Sequence, residues 1–260
     1  MADAPDSRRT FAPLWDDYAF FEAHTDEADR NLEAWCAALA GWLPRRERVR
    51  LLDFGTGSGR VLEMFLQRAG LAPDKTELTL LEPDAAQRAA AVRRLASRST
   101  RPVTAVAGQG ALDERTFDLI TSHHVLYYVR DLEAELRGLW DRLAPDGRML
   151  VSLAGRARSQ TIKFWYDAYG HLGREVPCLN ADHFQAALER LGLPYEQRQV
   201  SLHIDFEDTP ANRLRIPRFL MGEDYAALGD AYAAAWWEPH ARDGRIVVEE
   251  QDEFFIVTKD

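Results

Sequence analysis

The stretch Leu51-Leu52-Asp53-Phe54-Gly55-Thr56-Gly57-Ser58-Gly59 decides the fold. Its apolar run ending in an acid reads as a buried strand, the alternating glycines read as a tight turn, and a helix is expected from about Arg60. Glycine tolerates positive φ and lets backbone N–H groups come close to a ligand. A helix N-terminus after such a turn favours negative charge. Strand, glycine turn and helix in that order make a cofactor cradle.

The spacing narrows the cofactor. The dinucleotide fingerprint is G-x-G-x-x-G, whereas this chain has Asp53-x-Gly55-x-Gly57-x-Gly59, with the acid ahead of the glycines. A phosphate is disfavoured beside Asp53; a cationic cofactor is favoured. No Gly-Lys-Ser/Thr follows, which excludes a P-loop. A glycine turn with no ligand is the plainer reading, but three alternating glycines weaken a buried turn without local benefit. The segment Leu78-Thr79-Leu80-Leu81-Glu82-Pro83-Asp84 is a second apolar strand ending in an acid. A carboxylate there accepts two vicinal ribose hydroxyls. The plainer alternative is a helix-start acid.

Two further segments complete the pattern: Thr116 to Val129, and Leu143-Ala144-Pro145-Asp146-Gly147-Arg148 onward to Leu153. Between them Leu132, Leu136, Leu139, Trp140 and Leu143 recur at helical spacing, and Pro145 with Gly147 ends that helix. Strands are expected over 49–54, 77–82, 103–107, 117–122 and 148–153 with helices between them, which makes βαβ units and a parallel sheet. Outside this core, 16–42 reads as one or two helices, 155–173 as a polar and aromatic stretch with a helix, and 180–191 as a helix capped by Asn180. The segments 196–204 and 253–258 read as the last two strands, antiparallel to each other, with a helical insertion over 213–237.

In order, the four core segments resemble a class I S-adenosylmethionine-dependent methyltransferase over roughly Val49 to Leu153. A narrower set is similar to the histamine N-methyltransferase family. It comprises His24-Thr25-Asp26-Glu27, Glu82-Pro83 with Gln87, Val125 to Asp131, Tyr166 with Tyr169-Gly170, Leu191 to Glu196, and Phe255-Ile256-Val257. The resemblance implies a Rossmann-like α/β fold, mostly parallel with an antiparallel last strand, carrying a helical substrate-binding cap. The expected organisation is an N-terminal helical cap over 1-45, a cofactor-binding core over 46-155, and cap insertions plus the last two strands over 156-260, in one overall domain.

The same resemblance implies S-adenosylmethionine as cofactor and assigns residues. Gly55, Gly57 and Gly59 approach its methionine portion, Asp53 its amino group and Glu82 its ribose; Gln87 adds a hydrogen bond, Gln109 faces the adenine edge, and His123 lies along the cofactor. Glu27 matches the acid that binds the cationic end of an amine, and Tyr127 and Tyr128 the paired aromatics; aromatic faces favour cations. Tyr18, Phe21, Tyr166 and Phe219 are candidates for an aromatic wall. His124 stands where the mammalian enzymes carry a glutamine, and an imidazole there accepts a proton near neutral pH. Glu27 and His124 are therefore the catalytic candidates. Gln251 or Glu250 falls at a substrate-binding asparagine of that family, and Ile162 replaces one of its aromatics. These departures sit where a change of substrate would show.

Composition bounds the remaining classes. The 260-residue chain is 46% hydrophobic, enough for a sizeable core, and carries a formal net charge of −10. A protein that follows a phosphate backbone needs a basic stripe; Arg45-Arg46-Glu47-Arg48 and Arg93-Arg94 read instead as solvated charge. Nucleic-acid methylation is further disfavoured because Ser122-His123-His124-Val125 replaces an Asn/Asp-Pro-Pro-Tyr type motif. An acidic protein attracts cationic small molecules. Cys36 and Cys178 form no ligand pattern, so no metal site is expected and reduced thiols are the plain reading. Met1–Thr10 is polar without an apolar signal core, and no stretch reaches the length of a membrane span, so the expectation is cytoplasmic, without a membrane, and monomeric by default. The leading function is N-methylation of a small basic amine or imidazole-type metabolite. Its alternatives are small-molecule O-methylation in natural-product metabolism and a non-catalytic methyltransferase-like scaffold.

Overall fold

A computed structural model describes residues 14–259; the reading of Met1–Thr10 lies outside the described residues. In chain order the elements are α1 (Trp15–Ala23), α2 (Glu27–Leu39), β1 (Val49–Phe54), α3 (Arg60–Arg68), β2 (Thr76–Leu81), α4 (Ala85–Leu95), β3 (Thr104–Val106), β4 (Phe117–His123), α5 (Leu132–Arg142), β5 (Leu143–Ala154) and α6 (Gln160–His171). There follow α7 (Ala181–Leu191), β6 (Tyr195–Glu207), α8 (Asn212–Met221), α9 (Tyr225–Leu228), α10 (Asp230–Ala235), β7 (Ala241–Arg242) and β8 (Arg245–Lys259).

The strands form one sheet in the order β3-β2-β1-β4-β5-β8-β6, with β7 pairing antiparallel to β8. The sheet is mostly parallel with antiparallel strands, the Rossmann-like arrangement expected. β1 pairs parallel with β2 on one side and with β4 on the other, so Asp53 lies beside both Leu80 and Thr121. The strand order reverses between β1 and β4, and open α/β sheets bind ligands at that switch point, beyond the carboxyl ends of the strands.

The chain divides into two compact units. One holds the residues through Glu27, Ala154–Cys178 and Ser201–Gln251; the other holds Ala28–Leu153, Leu179–Val200 and the chain from Asp252. This division does not follow the expected borders at 45 and 155. α2 lies within the expected 1-45 segment, and its face of Leu32, Trp35 and Leu39 is buried in the second unit's core with Val49, Leu51, Phe65, Leu78, Leu119, Phe254 and Ile256. The apolar stripe of an amphipathic helix goes where it removes most area from water.

Other differences are local. His123 is the last residue of β4 rather than the residue after it. β5 starts at Leu143, directly after α5, because a register shift between Phe117 and Leu119 absorbs the Pro145-Asp146-Gly147 turn. The 213–237 insertion is broken into three helices, α8 to α10. α7 is as expected, with Asn180 accepting from the backbone of Asp182 and His183 and the His183 ring completing a capping box.

Candidate active site

The second unit contains the glycine turn, and its glycines have separate reasons. Gly55 has φ 76°, and a Cβ there would lie 2.2 Å from Cγ1 of Val125, so the turn is pressed against the segment after β4. Gly57 has φ 55° with nothing within 4 Å of where a Cβ would stand. Its N–H donates to Glu82 Oε2 at 2.9 Å. Gly59 packs close to Ala91 and Leu95 of α4. Only Gly57 therefore opens on free space; the other two glycines serve chain packing.

Asp53 and Glu82 differ in setting. Asp53 is buried, and Thr121 Oγ1 donates to its Oδ1 at 2.7 Å. Burial pushes its carboxyl up to about 6, the Thr121 and Thr56 hydroxyls oppose that, and the Glu82 charge adds to it. Glu82 is half-buried and accepts from Gly57 N–H and, through Oε1, from Asp84 N–H at 2.9 Å. Gln87 lies in the first turn of α4, its N–H capped by Asp84 Oδ1 at 2.8 Å. The Gln109 amide is tied to α5: it donates to the Glu135 carbonyl at 2.9 Å and to the Glu135 carboxylate. Presenting it to an adenine edge requires breaking those bonds.

At the end of β4 the two histidines diverge. His123 is half-buried with its ring 5.9 Å from Trp35, and desolvation, with the nearby His124 and Arg60 charges, holds its pKa well below the usual imidazole range, so it is neutral. His124 has φ 53°, a left-handed conformation that is uncommon for a non-glycine residue and often marks a functional position. Its N–H donates to the Ser152 carbonyl at 3.0 Å. Its Nδ1 lies 2.8 Å from the Tyr127 hydroxyl, and its Nε2 2.9 Å from Asp252 Oδ2. Asp252 is 3% exposed, and Asn31 Nδ2 donates to the same oxygen at 2.7 Å. The Tyr127 carbonyl accepts from Leu179 N–H at 3.0 Å, and the Tyr128 ring lies 5.9 Å from that of Tyr127.

In the first unit, Tyr18 and Phe21 of α1 meet Phe219 of α8, with ring centroids 5.1 and 5.7 Å apart. Trp165 Nε1 donates to the Leu220 carbonyl at 2.7 Å, tying α6 to α8. Glu27 opens α2 with its N–H donating to Thr25 Oγ1 at 3.1 Å, and Thr25 forms a bridge with Ile204 of β6. Arg156 lies over the Tyr166 ring, 4.1 Å from its centroid. Gln251 accepts from Arg158 at 3.1 Å. Glu250 accepts from the N–H groups of Gln160 and Thr161 at 2.8 and 2.7 Å, which caps α6.

A family model for a methyltransferase domain matches residues 24–197. The chain belongs to that family. The ubiquinone/menaquinone biosynthesis C-methyltransferase UbiE of Idiomarina loihiensis is 30% identical over 164 residues, which are 60% of this chain and 64% of that protein. The chain thus matches just under two thirds of the length of this curated relative. Among solved structures, the YcgJ protein of Bacillus subtilis superposes with a TM-score of 0.59 at 16% identity, over 88% of this chain and 98% of that one. An S-adenosylmethionine-dependent methyltransferase of Thermotoga maritima, described as a possible histamine N-methyltransferase, gives a TM-score of 0.53 at 14% identity over 96% and 98%. These likenesses bear out the class I methyltransferase fold.

The residues of this methyltransferase domain fit S-adenosylmethionine. The space beside Gly57 is open, and the two acids at the ends of β1 and β2 suit a donor that carries an ammonium and a ribose diol. Among the described residues, no helix is long and apolar enough to cross a membrane.

The residue missed by sequence reasoning is Asp252, together with Asn31. The signal was present in β8: Ile246 and Val248 are buried, and a period of two carries Glu250 and Asp252 onto the same face, leaving Gln251 half-exposed.

Proposed function

We propose that the protein transfers a methyl group from S-adenosylmethionine to a nitrogen of a small basic metabolite, an amine or an imidazole. The observation that carries this reading is the imidazole of His124 held against Asp252 at the end of β4, on a segment packed against the glycine turn. When bound, the cofactor supplies a methyl group already activated on a sulfonium. The chain must then orient the acceptor, exclude water and hold the acceptor's proton. A protonated amine has no lone pair to attack with, so a base near neutral pH is the group the reaction lacks.

On the donor side we assign Gly55, Gly57 and Gly59 to the cofactor turn, Asp53 to the ammonium and Glu82 to the ribose, with Gln87, Gln109 and His123 along the remainder. On the acceptor side we assign Glu27 to the cationic end on the family resemblance, and Tyr127 and Tyr128, on the same ground, as aromatic side chains that favour a cation. Tyr18, Phe21, Tyr166, Phe219 and Gln251 are assigned to acceptor selection on the family resemblance alone.

The test is a mass-spectrometric panel of amines and imidazoles beside phenols and carboxylic acids of matching size. Methylation of basic nitrogens is expected. If only phenols or carboxylates gain a methyl, the nitrogen reading fails and the same His124–Asp252 pair supports O-methylation. Glu27→Gln adds a second arm: it should raise KM for a cationic acceptor by about 10- to 100-fold, the size of a lost charged hydrogen bond, and leave a neutral phenol within about threefold.

A further inference from the structure

The hydrogen bonds around His124 assign its proton. Asp252 Oδ2 accepts from Asn31 Nδ2, which can only donate, so the same oxygen faces His124 Nε2 as an acceptor and Nε2 carries the hydrogen. In the neutral ring Nδ1 then bears the lone pair, and the Tyr127 hydroxyl 2.8 Å away donates to it. Both ring nitrogens are engaged within the chain. The Tyr127 hydroxyl is thus a hydrogen-bonded path from Nδ1 toward an acceptor.

We propose that Tyr127, His124 and Asp252 form a proton relay in which the Tyr127 hydroxyl, not the imidazole, takes the acceptor's proton. The proposal rests on the methyl-transfer reading above and specifies how its base works. The acceptor's X–H bond breaks as its proton passes to the Tyr127 oxygen, and the X–H electron pair becomes the nucleophile. In the same motion the Tyr127 O–H proton moves to His124 Nδ1. The resulting imidazolium donates through Nε2–H to the Asp252 carboxylate, and the proton leaves to water after the product departs. No oxidant or further reactant is needed.

Three features support the relay. Asn31 is fully buried, and its bond to Oδ2 keeps the Asp252 carboxylate from turning away from the ring. The left-handed backbone of His124, secured by its N–H bond to Ser152, aims the ring between β8 and the Leu126–Tyr128 turn. His123, whose ring centroid is 4.6 Å from that of His124, is neutral and so leaves room for one positive charge. Asp252 and Asn31 are positioning residues; Tyr127 is the catalytic contact.

The experiment is nitrogen NMR of the full-length protein labelled with 15N-histidine, at about pH 8, above the ordinary imidazole pKa. His124→Gln identifies the His124 signals by their loss. The relay expects Nε2 to resonate as an N–H nitrogen and Nδ1 as an unprotonated, hydrogen-bonded one. Tyr127→Phe should shift Nδ1 while leaving Nε2 protonated, and Asp252→Asn should abolish the single tautomer. An Nδ1–H tautomer in the parent protein, or an Nδ1 signal unmoved by Tyr127→Phe, overturns the relay. With whichever acceptor the panel identifies, Tyr127→Phe should lower kcat by about 100-fold, the usual size of one positioned proton transfer, with KM within about threefold. An unchanged kcat also overturns it. The NMR result needs no acceptor, so it stands or falls separately from the nitrogen reading.

Discussion

The ends of β1 and β4 each present a buried acid-based group to one edge of the second unit, and they solve the cost of burial differently. Asp53 has hydroxyl partners and a neighbouring acid, and its carboxyl is pushed up to about 6. Asp252 is equally buried but is met by an imidazole and an amide. A buried carboxylate is expensive unless paired. At β1 the carboxyl is met by hydroxyls; at β4 the chain supplies an imidazole and an amide. In the proposed function the first acid binds and the second orients the His124 ring.

Four substitutions break or sharpen this contrast. The largest effect is expected from Gly55→Ala, because Gly55 is where the turn after β1 meets Val125 after β4. The collision and the φ of 76° together should cost about 2–4 kcal/mol in urea unfolding and disturb both ends at once. Parent-like stability and cofactor affinity would separate the two ends.

Asp53→Asn acts on the β1 end alone. The native carboxyl titrates near 6 instead of 3.8, so its contribution to folding is fully present below about pH 4 and is lost as pH rises through 6. Removing the acid should therefore stabilise the ligand-free protein at neutral pH by up to about 3 kcal/mol relative to the parent, and not at pH 3.5 or so. Cofactor affinity should fall in the same variant. Thermal unfolding across that range, with calorimetric titration of S-adenosylmethionine, measures both; a parent-like pH profile would mean Asp53 is not the strained acid.

Glu82→Gln leaves folding nearly unchanged and should weaken S-adenosylmethionine by about 10- to 100-fold in the same titration, the loss of charge-assisted hydrogen bonds. The smallest effect belongs to Gly57→Ala. With open space beside it, only the left-handed backbone is penalised in unfolding of the ligand-free protein, about 1 kcal/mol, so its difference from Gly55→Ala in that measurement isolates the Val125 contact.

Much of the fold was legible because it repeats local rules. β1 has the expected bounds, α3 starts at Arg60, and Asn180 caps α7, since each rests on a strand run, a turn or a cap readable over a few residues. The destination of α2 was not, because amphipathicity specifies a buried face and not the element that covers it. Likewise the bond between the Gln109 amide and Glu135 was not legible, because α5 begins 23 residues later.

What the sequence alone determined is the family and its cofactor: Asp53, the glycine turn and Glu82 are close along the chain or tied by one βαβ unit, so their types and spacing already imply S-adenosylmethionine. The cluster of His124, Asp252 and Asn31 was decided only by tertiary structure. His124 and Asp252 are separated by 128 residues and Asn31 and Asp252 by 221. No local pattern pairs residues so far apart; the sheet does, by bringing β8 into the same layer as β4 with the register that turns Asp252 inward.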